Sequence, residues 1–233
     1  MPTLVIIPTY NERENLESIV TEIMVENLGN ASVLVVDDAS PDGTGALADD
    51  LARNFSGRVH VLHRPAKLGL GSAYLDGFRF AVDRGFDIVC QMDADGSHDP
   101  HDIAKLAGAM DERTDMVIGS RRVPGAQIVG WGPHRHFMSA AATMFARAAL
   151  GLRARDVTAG FRCYRSRVVA HLLRQPFVSS GFSFQEEALL YCERAGFGVK
   201  EIPVIFRDRS RGRSKLGIAE AVNFLRMVMR IKR

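Results

Sequence analysis

Short apolar runs alternate with helical segments along the first half of the chain, and each run is closed by polar or turn residues. Continuous apolar runs of this length are typical of strands buried in a parallel sheet. Strands that alternate with helices require right-handed crossovers, which place helices on both faces of the sheet. The sequence therefore predicts an α/β fold with a doubly wound, mostly parallel sheet. The predicted strands are Thr3–Tyr10, Ser32–Ser40, Arg58–Arg64, Asp87–Asp95 and one beginning at Asp115, and the predicted helices are Glu14–Glu26, Thr44–Phe55, Gly71–Arg84 and Asp99–Met110.

Polar residues collect at the carboxyl ends of these predicted strands. Ligands of such sheets bind beyond the carboxyl ends of the strands, so one crevice is expected to gather these side chains. The convergence predicts a ligand site at one edge of the sheet. The residues concerned are Tyr10, Glu12, Asp37, Asp38, Asp93, Asp95 and Arg121.

Asp93 and Asp95 stand one residue apart, where each negative charge disfavours ionisation of the other. Alternate residues of an extended chain share a face, so the two carboxylates can serve one ligand. Mg²⁺ and Mn²⁺ take hard oxygen ligands, and Mg²⁺ often combines one or two carboxylates with substrate phosphates. The spacing alone leaves a solvated turn as the alternative, and the other strand-end acids favour the metal site.

The pattern loosens after about Pro124. Met138–Leu150 is predicted as an Ala-rich helix, the segments DVTAGFRCYRSRVV and SSGFSFQEEALLYCERAG as another loop and helix, and VKEIPVIFRDR as a late strand. The chain ends in a predicted amphipathic helix. No repeat or linker interrupts the 233 residues, which predicts a single domain. The basic residues of the terminal helix are Arg226, Arg230, Lys232 and Arg233.

The composition, 46% hydrophobic and 24% charged, is that of an ordinary globular protein. Cys90, Cys163 and Cys192 each stand alone, which indicates reduced thiols in a cytosolic protein rather than a zinc site or a disulfide framework. No apolar run approaches the roughly 18 residues of a membrane-spanning helix. The N-terminus also lacks the basic region of a signal peptide. We therefore expect a protein that does not span a membrane, although it could lie on one.

Two further motifs surround the predicted crevice. LGLGSAY (Leu68–Tyr74) has the wrong spacing for a phosphate loop or a dinucleotide fingerprint, and it favours a tight turn into a helix. Lys67, just before it, is in place to contact a phosphate. The basic stretch RDRSRGRSKLG predicts a loop that closes over a diphosphate, with a disordered loop as the alternative. The histidines are interpreted as solvent-exposed rather than as metal ligands, including His98, His101, His134 and His136.

Seven stretches together resemble the dolichol/polyprenol-phosphate mannose synthases, which belong to glycosyltransferase family 2 and have the GT-A fold. The likeness extends from Leu4 to about Gly217, and its last three stretches are more particular to the polyprenyl-phosphate branch. The stretches are VIIPTYNERENL, VLVVDDASPDGTG, MDADGSHDP, IGSRRVPG, DVTAGFRCYR, GFSFQEE and FRDRSRGRSKLG.

The resemblance implies inverting transfer of mannose from GDP-mannose to a polyprenyl phosphate. It divides the chain into a nucleotide-sugar half, about residues 1–123, and an acceptor- and lipid-facing half, about residues 124–233. By their place in the motifs, Pro8, Tyr10, Glu12, Val36 and Asp38 match nucleoside contacts. The implied diphosphate, sugar and catalytic residues are Asp93, Ala94, Asp95, Arg121, Arg209 and Lys215.

The resemblance also implies Mg²⁺ or Mn²⁺ bound by Asp95, and an acceptor phosphate contacted by Arg121, Arg135 and Ser139. Many members of the family carry glutamine as a further metal ligand where this chain has Ser97. The shorter hydroxyl leaves direct metal contact or a bridging water as alternatives. Processive family members carry a Gln-x-x-Arg-Trp motif that this chain lacks, which disfavours a polysaccharide synthase.

The Phe137–Leu152 segment, the GFSF loop and the basic terminal helix predict a membrane-facing groove, with core packing of the same apolar residues as the alternative. We expect a peripheral protein at the cytoplasmic face of a membrane, with or without a membrane-anchoring partner protein. A nearby alternative is transfer of glucose or an N-acetylhexosamine from a UDP-sugar to the same lipid. The basic tail also fits a nucleic-acid-binding module. That reading leaves the strand-end acids unexplained, because carboxylates that face phosphates without a metal weaken binding.

Overall fold

The computed structural model of the chain describes residues 1–26, 30–181, 183–208, 224 and 226–230. Strands and helices alternate through its first half, as the apolar pattern predicts. The strands are β1 (Thr3–Thr9), β2 (Ala31–Asp37), β3 (Val59–His63), β4 (Ile88–Gln91), β5 (Met116–Ser120), β6 (Gln127–Val129), β7 (Arg162–Arg165), β8 (Val199–Pro203) and β9 (Ile205–Arg207).

The helices agree with the four predicted in the first half to within about three residues at each end. The predicted Ala-rich helix begins earlier than expected, with a proline in its first turn, where the missing N–H costs no hydrogen bond. The helices are α1 (Arg13–Val25), α2 (Thr44–Asn54), α3 (Leu70–Asp83), α4 (Asp102–Gly108), α5 (Pro133–Leu150), α6 (Ser166–Leu172) and α7 (Phe184–Arg194).

Seven strands form one sheet in the order β3-β2-β1-β4-β7-β5-β8. All its pairings are parallel except those of β7, which runs antiparallel between β4 and β5. The doubly wound, mostly parallel sheet is therefore confirmed, and both predicted halves of the chain contribute strands to it. The prediction of a loop and helix around residues 156–169 is wrong where β7 lies.

Two charged residues explain why β7 escaped prediction. Its sequence, RCYR, begins and ends with arginine and does not read as an apolar run. Arg162 is nevertheless fully buried, because its guanidinium donates to the carbonyl oxygens of Val157, Ala159 and Gln185 at 2.6–2.7 Å. One hydrogen bond from each of its three nitrogens makes a buried guanidinium tolerable.

The core lies on both faces of the sheet, because successive residues of β1 point to opposite sides. Leu4 and Ile6 pack with α3, α5, α6 and α7, whereas Val5 and Ile7 pack with α1, α2 and α4. The late predicted strand is divided at Val204 into β8, which belongs to the main sheet, and β9, which pairs with β6 in a separate two-stranded sheet.

The cysteine prediction is wrong, since Cys90 and Cys163 form a disulfide across β4 and β7. Antiparallel pairing sets the two residues directly opposite each other although 73 positions separate them. A pairing that depends on an unpredicted strand could not be seen in the sequence. Cys192 is a free buried thiol, and burial raises its pKa to about 12, so it is unreactive.

The predicted terminal helix is described in part. Residues 226–230 are helical, with Met227 packed in the core and Arg226, Met229 and Arg230 on the surface. Lys232 and Arg233 lie outside the described residues. Within the described ranges, no helix has both the length and the apolar character needed to cross a membrane.

Candidate active site

A cleft of about 250 Å³ opens beyond the carboxyl ends of β1, β2 and β4. It lies where the strand-end pattern predicts a ligand site. Of the residues predicted for that crevice, Asp37 and Arg121 lie outside the lining, and Val36, a predicted nucleoside contact, is buried within β2. The predicted residues that line the cleft are Pro8, Tyr10, Glu12, Asp38, Asp93, Ala94 and Asp95.

Asp37 closes the end of β2 instead of facing the cleft. Its carboxylate accepts hydrogen bonds from the hydroxyls of Thr9 and Ser40 and from the Ser40 backbone N–H. Thr9 ends β1, so Asp37 ties the ends of two neighbouring strands together. This role explains why two consecutive aspartates point in different directions.

Asp38 faces the cleft and is held on its other side by the protein. One carboxylate oxygen pairs with the buried guanidinium of Arg64 at 2.5 Å. The other accepts the backbone N–H groups of Leu68 and Gly69, both at 3.2 Å. A carboxylate has about four acceptor positions, so one is left for a ligand. The side chain is therefore fixed in place before anything binds.

The glycine-rich stretch forms the predicted tight turn into a helix. Gly69 precedes α3 with φ of +99°, and a Cβ there would lie 2.5 Å from the Ser180 carbonyl oxygen. The Gly71 N–H donates to that same oxygen at 2.8 Å. Glycine is required here because the turn touches the loop before α7, and this contact forms one wall of the cleft.

Asp93 and Asp95 follow β4 on a turn held by neighbouring groups. The buried Tyr74 hydroxyl donates to Asp93 Oδ1 at 3.4 Å, and Asp95 Oδ1 accepts the Ser97 N–H at 3.1 Å. Burial first, and then the negative charge of Asp93, raise the pKa of Tyr74 well above its usual value, so the hydroxyl keeps its proton. Hydrogen bonds to both carboxylates offset part of their mutual repulsion.

His98 is buried, so the prediction of an exposed histidine is wrong at this position. Its ring stacks on Phe161 at 4.9 Å and meets the edge of Phe206 at 5.9 Å. Nδ1 accepts the backbone N–H of Asp93 at 3.2 Å, and burial lowers the ring pKa. A neutral imidazole therefore supports the aspartate turn. The feature of the sequence that could have indicated a role for His98 at the site was its position three residues after Asp95.

The oxygen groups at Asp95 fit a divalent cation. The Ser97 hydroxyl is buried beside Asp95 and has no hydrogen-bond partner among the residues that the structure describes. A carboxylate on the cleft and an unsatisfied hydroxyl are hard ligands of the kind that Mg²⁺ and Mn²⁺ accept. Among the described residues, a separate group that could hold an ion lies outside the cleft lining, with Glu22 on α1 and Asp99 and His101 in the turn before α4.

Arg121 lies beside the cleft and is engaged by the protein. Its guanidinium donates to both carboxylate oxygens of Asp156 and to the Thr158 hydroxyl, each at 2.8 Å. Burial, the largest single influence, lowers the pKa of Arg121, but the nearby carboxylates, chiefly Asp156, together raise it above its ordinary value. The negative charge of Asp93 acts in the same direction, which places Arg121 within electrostatic reach of the aspartate turn.

Arg135 and Ser139 lie in the first two turns of α5, close to Arg121. Arg135 rests 4.3 Å above the Trp131 ring and pairs with both carboxylate oxygens of Asp208 at 2.7 Å. Ser139 accepts a hydrogen bond from Arg122, whose buried Nε has no partner in the described part of the chain. Arg122 was not predicted, although it is the second arginine of the same GSRR motif.

Arg209 and Lys215, the predicted cations of the closing loop, lie outside the described residues. Their roles therefore stay predictions. Asp208 is the last described residue before that loop, and its ion pair with Arg135 connects the start of the loop to α5.

Comparison with known proteins gives one consistent family. Residues 4–173 match the family described as Glycosyl transferase family 2. A polyprenol monophosphomannose synthase of Mycolicibacterium smegmatis is 46% identical over 92% of this chain and 80% of its own length. An undecaprenyl-phosphate mannosyltransferase of Micrococcus luteus is 43% identical over 95% of this chain and 91% of its own length.

Solved structures extend the likeness to the fold. Glucosyl-3-phosphoglycerate synthase of Mycobacterium tuberculosis, in complex with Mn²⁺, uridine diphosphate and phosphoglyceric acid, superposes with a TM-score of 0.68 at 20% identity, over 98% of this chain and 76% of that one. The same enzyme with Mg²⁺ and uridine diphosphate gives a TM-score of 0.67 at 18% identity, again over 98% and 76% of the two chains.

Proposed function

The chain belongs to glycosyl transferase family 2, and we propose that it is an inverting enzyme that transfers mannose from GDP-mannose to a polyprenyl phosphate. The products are polyprenyl-phosphate β-mannose and GDP. The observation that carries the proposal is a carboxylate-lined cleft beside the basic side chains of Arg121, Arg122 and Arg135. A sugar nucleotide and an anionic acceptor can meet there. The sugar and the lipid follow those in the names of the two curated relatives.

The positions of the cleft residues support a proposed placement of the donor. Pro8, Tyr10, Glu12 and Asp38, at the ends of β1 and β2, would hold the nucleoside, with Val36 supporting them from within β2. The segment from Asp93 to Asp95, after β4, would hold the diphosphate and the sugar.

A divalent cation would be held by Asp95 and Ser97, which fit it as hard oxygen ligands. When bound, such a cation neutralises charge on the donor diphosphate. This assignment rests on the carboxylate at the cleft and the unsatisfied hydroxyl beside it, because the structural neighbours that contain Mn²⁺ or Mg²⁺ share only the fold.

The acceptor requires little proton chemistry. A phosphate monoester has its second pKa near 6, so it is largely ionised and nucleophilic at neutral pH. No general base is needed, and alignment with the anomeric carbon becomes the main task of the protein. Arg121, Arg135 and Ser139 are the proposed phosphate contacts. The Arg135 pair with Asp208 supports this, because an acceptor phosphate would take the place of a carboxylate that already lies there.

α5 is the proposed contact for the lipid tail and for the membrane surface. Phe137, Met138, Met144 and Phe145 form an exposed apolar group on this helix, with Phe137 71% exposed. The helix contains His134, Arg135, His136 and Arg147 and no acidic residue. Apolar side chains framed by basic ones are typical of helices that lie in an anionic lipid interface. We place the enzyme on the cytoplasmic face of a membrane, with or without a membrane-anchoring partner protein.

The test of this function is transfer of label into lipid. The purified protein, Mg²⁺ or Mn²⁺, polyprenyl phosphate and labelled GDP-mannose are expected to give lipid-extractable label that mild acid releases. UDP-glucose and UDP-N-acetylhexosamines are the parallel donors. Label from a UDP-sugar alone would replace the donor assignment, and no label from any donor, with detergent or with membranes, would overturn the acceptor.

Lys215→Ala is expected to lower kcat by about 100-fold while the Kd for GDP changes little. This prediction comes from the sequence: a loop cation that stabilises charge growing on the leaving nucleotide acts mainly in the transition state. Initial rates and nucleotide titrations measure the two effects separately, with the exposed Lys200→Ala as the control. Weaker GDP binding at unchanged kcat would make the loop a binding element only.

A further inference from the structure

The charge of the cleft wall is uneven. Among the described residues that line it, four are carboxylates, Glu12, Asp38, Asp93 and Asp95, and one is basic, Lys67. A nucleotide is itself anionic, so the part of the ligand that meets Lys67 gains an attraction that the remaining described wall does not offer. The position of this lysine therefore bears on donor recognition.

The backbone that follows Lys67 is held in place by hydrogen bonds. The backbone N–H groups of the next two residues donate to Asp38, and the turn after them is hydrogen-bonded to Ser180. The ammonium group lies 4.0 Å from the centre of the Tyr10 ring. Lys67 thus reaches over the cleft from β3 toward the end of β1, on the same side as Asp38.

The order of strands decides which end of a nucleotide this is. The sheet runs β3-β2-β1-β4, with Lys67 after β3, Asp38 after β2, and Asp93 and Asp95 after β4. Neighbouring strands lie about 4.8 Å apart, so β3 is roughly 14 Å from β4. A diphosphate placed at Asp95 leaves the base near Asp38 and Lys67. The Lys67 ammonium itself lies over Tyr10, which the proposed function assigns to the nucleoside, so we place the lysine at the nucleoside end rather than at the phosphates.

We propose that Lys67 and Asp38 together read a 6-oxopurine, so that Lys67 is a residue that selects guanine over adenine as the donor base. This inference rests on the proposed function. An ammonium group only donates hydrogen bonds and an ionised carboxylate only accepts them. Guanine presents the O6 acceptor next to N1–H and N2–H donors, and lysine pairs with guanine O6 or N7 in other settings. Adenine carries an amine donor at the same position, which an ammonium group opposes.

The experiment compares the wild type with Lys67→Met, which keeps an apolar stem and removes the charge. Calorimetric titrations in Mg²⁺ would use GDP, GMP, UDP and ADP. The variant is expected to bind GDP and GMP about 10-fold more weakly, by equal factors, and to bind ADP no more weakly than the wild type does. Lys200→Met, an exposed lysine that contacts Ala109 and Asp111, is the matched control and is expected to bind all four as the wild type does.

Each other outcome overturns the inference in a distinct way. A loss that is larger for GDP than for GMP would place Lys67 at the diphosphate. Equal GDP binding by both proteins would make Lys67 a solvated side chain and leave the proposed function intact. A wild type that binds UDP but not GDP would overturn both the base reading and the proposed donor.

Discussion

Asp95→Ala is expected to lower mannosyl transfer by at least about 10³-fold and to remove its dependence on added divalent cation. Asp95 is the carboxylate that lies both on the cleft and beside the unsatisfied Ser97 hydroxyl. Without it, the proposed site would keep a hydroxyl, and a hydroxyl alone is a weak ligand for a hard cation. Initial rates against Mn²⁺ concentration would measure both effects.

The control must separate metal binding from damage to the fold. Asp83→Ala removes an exposed carboxylate from the end of α3, and its activity is expected to match the wild type. Mn²⁺ binding followed by electron paramagnetic resonance, with GDP present, should be lost in Asp95→Ala and kept in Asp83→Ala. If Asp95→Ala retains either its turnover or its Mn²⁺ binding, Asp95 is not the metal ligand.

The sequence predicted the parts of the fold that depend on local pattern. The strands of the first half are uninterrupted apolar runs, so they could be predicted from the sequence. The location of Asp38, Asp93 and Asp95 at a ligand site was predicted from the rule that ligands bind beyond the carboxyl ends of parallel strands. These residues do line one cleft. The same rule did not distinguish Asp37 from Asp38, because which of two consecutive side chains faces the ligand depends on hydrogen bonds to Thr9, Ser40 and Arg64.

The features that escaped prediction depend on contacts between distant segments. β7 is a strand because it pairs with β4 and β5, and its Arg162 can be buried there because carbonyl groups accept hydrogen bonds from the guanidinium. The Cys90–Cys163 disulfide follows from that pairing. His98 is buried by Phe161 and Phe206, which come from other parts of the chain. Arg162 and His98 are polar residues that would be expected at the surface, and each is buried because neighbouring groups form hydrogen bonds with it.

The buried pair of Arg121 and Asp156 gives the largest expected effect on stability. Asp156→Asn is expected to destabilise the protein by about 3–5 kcal/mol, because it leaves the Arg121 charge buried without its partner. Urea unfolding at pH 7 would measure the change. The matched control is Asp50→Asn, which breaks an exposed pair with Arg53 on α2 and is expected to cost under about 1 kcal/mol. Equal effects of the two substitutions would show that Arg121 does not need the carboxylate.

The pH dependence of the stability tests whether the ionised form of Asp156 is what stabilises the pair with Arg121. Burial opposes the charge of Asp156, but the Arg121 guanidinium outweighs burial and holds the pKa of this carboxyl below its usual range. A carboxyl whose pKa is depressed by folding stabilises the protein above its unfolded pKa of about 3.9, and that contribution is lost as the pH falls through the folded value. The stability difference between the wild type and Asp156→Asn is therefore expected to be constant from about pH 7 to 5 and to shrink below about pH 4. A difference that stays the same throughout the acid range would mean that the ionised carboxylate is not what stabilises Arg121.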